Sequence, residues 1–449
     1  MGRACLAALP RALRSRIYRR AINLNPPRRA RLELKIAQTQ EELEACFALL
    51  HDAYVASGLM QPHPSGLRVT PYHALPTTTT LCAKVGGLVV GTLSIVRDGV
   101  FGFPMQAAFD VSSVRAKEGR IAEISALAIH PRFRKTGGTI LFPLMKFMYE
   151  YCTRYFDTRH LLIAVHPSHI EMYESLLFFQ RLAAQPVDCY DFVNGAPAIG
   201  ATLDLHEAPR IFERAYGGLS GARNLHHYFV HTNLPEIQLP SRPWHVSNDP
   251  VLTPALMEHF FMRRTTTFDA LDERRCLLLH SLYSGPEWQR CLPRTGQGRS
   301  ALAQLRQSPR ISLHCPATVT PVGKHVVPAA TATIVEMSSG GFQARLDRPV
   351  AVGTRCDVLA RLGPERQSLV QARVVRAIGD PGANLFGFRL EAADSVWQRC
   401  IAWLEDLDGA RADPDFTEAE AGAQRGAVGP RAQPASKSRS AEMPIEQLG

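Results

Sequence analysis

Two β-rich runs joined by Gly86-Gly87, "TTTTLCAKVGGLVVGTLSIVRD" at residues 77–98, predict a hairpin, because paired glycines supply the positive φ of a tight turn. In "RIAEISALAIHP", period-two alternation predicts a strand. Ile121, Glu123, Ser125, Leu127 and Ile129 fall on one face, with Ala122, Ile124, Ala126 and Ala128 on the other. Glu123 is the one charge in that apolar run. Helical spacing in "TILFPLMKFMYEYCTRYF" puts Leu141, Leu144, Met145 and Met148 on one side. "HLLIAVHP" reads as a buried strand, and "SHIEMYESLLFF" as a helix opened by a Ser168 to Glu171 capping box. Further on, "TPALMEHFFMRR" has Thr253 as N-cap with Pro254 at the first helical position, and "LDERRCLLLHSLYS" is helical.

The pattern changes after a Gly-, Pro- and polar-rich stretch at residues 284–301. "ISLHCPATV", "TATIVEMSSGGFQARL", "TRCDVLARL", "LVQARVVRAI" and "LFGFRLE" are short strands with Gly-rich separators. They precede a helix, "DSVWQRCIAWLEDL", with Trp397, Ile401 and Leu404 on one side, which suggests a small antiparallel barrel closed by a helix. Residues 409–449 carry almost no large apolar side chains and read as a disordered tail.

Composition narrows the class. The 449 residues suggest two or three domains, and no apolar run is long enough to span a bilayer. The net charge of +10 is concentrated: nine arginines and no acid occupy residues 1–31, leaving the body almost balanced. That argues against a DNA or RNA partner for the whole chain. Leu6, Leu9, Leu13, Ile17 and Leu24 interleave with those arginines, as in a short basic amphipathic helix suited to peripheral contact with an anionic membrane surface, or as in a solvated leader. Ten scattered cysteines without a Cys-x-x-Cys pair fit a reducing cytoplasm. His227 and His231 lie four apart, but no third ligand is evident and Pro235 follows, so no metal site is expected.

The run strand, His130-Pro131, Arg134-x-x-Gly137-Gly138, helix resembles the acyl-donor loop of the GNAT superfamily of N-acetyltransferases, with Thr139 where that superfamily usually has Gly or Ala. "LVVGTLSIVRDGVFGFPMQAAF" followed by "AEISALAIHPRFR" is similar to a branch of that fold. This branch holds the acyl-homoserine-lactone synthases and the FeeM-type N-acyl amino acid synthases. The lactone synthases tend to carry Arg where this chain has Ala126, which favours the amino acid synthase side. The resemblance implies an α/β fold with a mixed twisted sheet over residues 32–207, extended by helices over 208–290. It makes Glu123 the group that orients or deprotonates the amino acid's amine, and Tyr173 a general acid. Arg134, Gly137, Gly138 and Thr139 would hold the phosphate of a phosphopantetheine donor, either acyl-carrier protein or acyl-CoA.

Residues 301–408 resemble the PilZ domain, a six-stranded antiparallel barrel with a C-terminal helix. Two motifs carry the likeness: Arg306-x-x-x-Arg310, and Glu336-x-Ser338-x-x-Gly341 about 26 residues later. The family's Asp or Asn is replaced here by Glu336. The resemblance implies that these five residues bind cyclic di-GMP, since planar guanidinium groups suit phosphate and guanine edges. The combined expectation is a cytoplasmic enzyme, associated with the membrane at most peripherally, that moves a fatty acyl group onto an amino acid under a cyclic di-GMP regulator. Two other readings fit the same motifs: a catalytically inactive cyclic di-GMP effector, and an acetyl-CoA-dependent N-acetyltransferase.

Overall fold

The computed structural model describes residues 10–405 apart from 23, 25–31, 135, 137, 241–243, 247–248, 250, 284–285, 296–310, 324–327, 364 and 379–383. Part of the basic leader and the whole expected tail therefore lie outside the described residues. Helix α1 (Arg11–Ala21) is followed by strand β1 (Leu32–Ile36), helix α2 (Gln40–Ala56), and strands β2 (Thr78–Val85), β3 (Leu88–Arg97) and β4 (Arg120–Ile129). Helix α3 (Leu141–Tyr155), strand β5 (Thr158–Val165), helix α4 (Pro167–Leu177) and strands β6 (Gln180–Arg181), β7 (Val187–Tyr190) and β8 (Ala196–Asp204) complete an eight-stranded sheet. Its order is β1-β2-β3-β4-β5-β8-β6, with β7 paired to β8; β4 and β5 are parallel and their neighbours antiparallel. The β2–β3 turn is the expected one, with φ of 58° at Gly86 and 84° at Gly87.

Strand β4 departs from simple alternation. Ser94 pairs with Ser125 but Thr92 pairs with Ala128, so Ala126 and Leu127 together oppose Leu93, and Ala126 takes a φ of 54°. This bulge reverses the parity of the strand. Leu127 and Ile129 join Ala122 and Ile124 in the core beneath α3, while Ala126 and Ala128 turn to the core beneath α2. The single face expected for Ile121 to Ile129 therefore ends at Ser125.

The expected helix faces hold, with Leu144, Met145 and Met148 of α3 buried in the core. The expected capping box of α4 does not form. His166 is the N-cap, its ring accepting from Ser168 N, and Glu171 pairs instead with Arg14 of α1. Helix α1 is thus held against α4. Ser15 and Ser175 hydroxyls meet at 2.9 Å, and Arg19 donates to the Ser175 carbonyl at 3.1 Å with its guanidinium over Phe178. The basic helix expected to face a membrane or solvent is docked on the fold along this side. Among the described residues, no helix is long and apolar enough to cross a membrane.

The extension contributes helices α5 (Ala208–Tyr216) and α6 (Glu273–Leu282), the latter capped by Asp272. A short helix, Pro254–Glu258, is capped by Thr253 as expected. Lys146 of α3 is buried, pairs with Glu150 at 2.7 Å and donates to the Phe229 carbonyl at 2.8 Å, fixing the π-helical turn His227–His231 to the core. Phe260 and Phe261 pack with Phe47 and Leu50 of α2 on the opposite side of the sheet.

Strands β9 (Ile311–Val322), β10 (Ala330–Ser338), β11 (Gly341–Leu346), β12 (Arg355–Gly363), β13 (Arg366–Ile378) and β14 (Leu385–Ala392) form a closed antiparallel barrel. Helix α7 (Ser395–Glu405) buries Trp397, Cys400, Ile401 and Leu404 against it. Asp394 fixes the helix start by accepting from Trp397 N at 2.9 Å and from the Ser368 hydroxyl at 2.8 Å.

Described residues between Ile237 and Asp249 contact both halves. Ile237 bridges in parallel to Leu34 of β1, Trp244 is buried in the barrel core, and Val246 bridges to Leu313 of β9. Asp249 then accepts from the Tyr151 hydroxyl at 2.7 Å and the Thr79 hydroxyl at 2.9 Å inside the first half. Nearby, Arg120 at the start of β4 donates to the Leu313 carbonyl at 3.2 Å.

Candidate active site

The β4–β5 pairing runs from Arg120↔Thr158 to Glu123↔Leu162 and ends there. Strand β4 then continues through its bulge, while Ile163 to Val165 of β5 remain paired to β8. Between the parted strands opens a mainly apolar cavity of about 450 Å³. Its walls come from β4 (Ile124 to Ile129), β5 (Ile163 to Val165), α2 (Tyr54), α3 (Met145, Met148) and α4 (Tyr173). The extension adds Ala208, Phe212, Phe229 and Val230.

Glu123 sits where the strands part. It is 2% exposed and accepts from Met105 N at 2.9 Å. Met105 is presented by the turn Pro104–Ala107, which follows Gly102 (φ 65°) and is held by Phe103 N donating to the Gln106 side chain at 2.7 Å. Burial raises the Glu123 carboxyl to about 8, against the opposing pull of the Met105 N–H. A carboxyl that titrates there is well matched to taking a proton from an amine near neutral pH. Tyr173 lines the same cavity, edge-on to Phe179 at 5.9 Å, and burial pushes its hydroxyl up to about 12.

The expected phosphate loop follows β4 through the turn Pro131–Phe133 and leads into α3. Arg134 lines the cavity but folds back, its Nε donating to the Ile129 carbonyl at 2.8 Å. Gly138 has a φ of 86°, and a Cβ there would lie 2.4 Å from the Phe142 ring. Both conformation and space therefore require glycine. The Thr139 hydroxyl meets that of Thr136 at 2.6 Å. Gly137 lies outside the described residues. The structure thus brings Glu123, Tyr173 and Arg134 to one cavity, with Gly138 and Thr139 in the loop leading to α3.

Three residues around the site carry no signal in the sequence. Tyr54, Arg68 and Tyr190 come from α2, the loop after it and β7, and only the fold gathers them. In the barrel, Glu336 follows a register shift in β10, and the Ser338 hydroxyl donates to the Gly341 carbonyl at 3.1 Å. Glu336, Ser338 and Gly341 line a groove with Arg376 and Arg389. Arg306 and Arg310 lie outside the described residues. Among the described residues, no group of three or more His, Cys, Asp or Glu is placed to hold a metal ion.

Residues 45–204 match the family model of the N-acyl amino acid synthase FeeM, and residues 304–404 match that of the PilZ domain. The chain joins a FeeM-type synthase domain to a PilZ domain. The FeeM-type domain is of the N-acyltransferase class. No match is found among curated proteins. Among solved structures, FeeM, an N-acyl amino acid synthase from uncultured soil microbes, is 23% identical. That match covers 40% of this chain and 95% of FeeM, with a TM-score of 0.35. The CoA-dependent acyl-homoserine lactone synthase BjaI, solved with SAM and isopentyl-CoA, is 20% identical over 43% of this chain and 92% of its own, with a TM-score of 0.32. The yncA protein from Salmonella typhimurium, solved with its cofactor acetyl-CoA, is 17% identical over 39% of this chain and 94% of its own, with a TM-score of 0.29.

Proposed function

We propose that the FeeM-type domain transfers a fatty acyl group from a phosphopantetheine thioester, carried by acyl-carrier protein or CoA, to the amine of an amino acid. The observation that carries this reading is Glu123, buried where β4 leaves β5 and facing a cavity far larger than an acetyl group needs. The donor's phosphate sits at the loop of Arg134, Gly137, Gly138 and Thr139, and its acyl chain lies among the apolar walls. The Glu123 carboxylate takes a proton from the incoming ammonium. The freed amine attacks the thioester carbonyl, so a C–N bond forms as the C–S bond breaks. Tyr173, whose hydroxyl is protonated, gives its proton to the departing sulfur, and the proton shed by the new amide nitrogen returns to the tyrosine oxygen, so that a thiol leaves.

Expression in a heterologous bacterium followed by lipid profiling tests this reading. N-acyl amino acids should accumulate well above a Glu123→Gln control, and equal abundance in the two would defeat it. Because Ala208 lines the cavity and is buried, Ala208→Leu should shift the products towards shorter acyl chains, as read by mass spectrometry. The PilZ domain is proposed to bind cyclic di-GMP through Arg306, Arg310, Glu336, Ser338 and Gly341 and to regulate the synthase. The longer Glu336 side chain retains the carboxylate of the family motif.

A further inference from the structure

A small second cavity adjoins the first and shares Tyr54, Ser125, Ala126 and Phe192 with it. Arg68 enters this second cavity. Its Nη2 donates to the Phe192 carbonyl at 2.8 Å, and its guanidinium lies 4.2 Å from the Tyr54 ring centre and 5.1 Å from that of Phe192. No carboxylate pairs with it among the described residues, so its charge is met by aromatic faces, the Tyr54 hydroxyl and one carbonyl. Burial accordingly draws the guanidinium below its ordinary range. Such a group gains strongly from an incoming anion, and its planar fork suits a carboxylate.

A second observation points the same way. Tyr190 is 3% exposed, lines the large cavity with Glu123, and its hydroxyl is buried without a hydrogen-bond partner. An orphaned buried hydroxyl is costly unless something supplies its bond. The hydroxyls of Tyr54 and Tyr190 both lie within reach of the charges of Arg68 and of Glu123.

We propose that Arg68, with the Tyr54 and Tyr190 hydroxyls, is the subsite for the α-carboxylate of the acceptor, holding the amino acid so that its amine meets Glu123. This rests on the acylation reading above and adds what selects an amino acid over a simple amine. The carboxylate neutralises Arg68 and supplies the bond Tyr190 lacks, while the amine is delivered to the buried carboxyl.

The test compares the amino acid found in the products with its own methyl ester, using wild type, Arg68→Lys and Arg68→Met. The ester has the more easily deprotonated amine, so intrinsic reactivity opposes the predicted preference. Wild type should favour the free acid. Arg68→Met should raise KM for the acid by about 10- to 100-fold, leave KM for the acyl donor and the unfolding temperature near wild type, and lose the preference for acid over ester. Arg68→Lys should recover part of that preference. An Arg68→Met enzyme with unchanged KM and unchanged preference would overturn the subsite while leaving acylation standing. Wild type that acylates no amine at all would instead remove the acylation reading.

Discussion

Glu123→Gln lowers acyl transfer by about 10² to 10⁴-fold, the usual contribution of a positioned general base. The amide keeps an oxygen to accept from Met105 N, so the turn that now bonds Glu123 at 2.9 Å stays in place. What disappears is the proton acceptor. In wild type, kcat/KM for the amino acid climbs with pH towards about 8, where the carboxyl of the free enzyme becomes ionised. The variant lacks that rise. The stability sign is fixed by the same shift. The folded carboxyl, at about 8, holds its proton more tightly than the unfolded one near 4.5, so the contribution is complete below about 4.5 and is lost as pH rises towards 8. Thermal unfolding at pH 5 and pH 8.5 should therefore show Glu123→Gln gaining on wild type at the higher pH. A constant difference would mean that the carboxyl is not titrating in this window.

Gly341→Ala opens the PilZ barrel. A Cβ at Gly341 would lie 2.2 Å from the Phe388 carbonyl oxygen, a backbone atom of the paired strand β14. Relief requires β11 and β14 to separate beside Phe342, which stacks on Phe388 at 4.6 Å and packs on Trp397. Overpacking of this kind costs about 1–3 kcal/mol, read as a lower urea midpoint. Gly340→Ala is the control: nothing lies within 4 Å of its Cβ position, and it should be near neutral. Calorimetry with cyclic di-GMP separates the motif's two duties. Arg310→Ala should abolish binding without the drop in stability, whereas Gly341→Ala should lose both. Wild type that does not bind would leave the barrel without the proposed ligand.

The apolar pattern carried far in this chain, because both folds are built on regular periodicities. The β2–β3 hairpin, the buried face of α3, the Thr253 cap and the Trp397, Ile401, Leu404 face of α7 are all local consequences of residue type. The failures are tertiary. The β4 bulge reverses the strand's parity after Ser125 because Leu93 faces two residues, which no alternation within β4 reveals. The Ser168 to Glu171 capping box lost to His166 and to the charge of Arg14, far away in the sequence. Glu123 was legible as a charge in an apolar strand. Arg68 was not, because a single arginine in a loop acquires meaning only when Tyr54 and Phe192 enclose it.

The segment whose described residues hold both halves makes the PilZ barrel a poor candidate for excision. Without it, Trp244 would lose its burial, and the bonds from His245 N to Leu362 and from Arg120 to the Leu313 carbonyl would be cut. The same segment edges β1 through Ile237 and places Asp249 under Tyr151. A truncated synthase would thus carry an unmoored strap into its own sheet, and its lost activity would report damage rather than a missing signal. Point changes at the proposed nucleotide motif, in the full-length chain, are the cleaner instrument for asking whether one half speaks to the other.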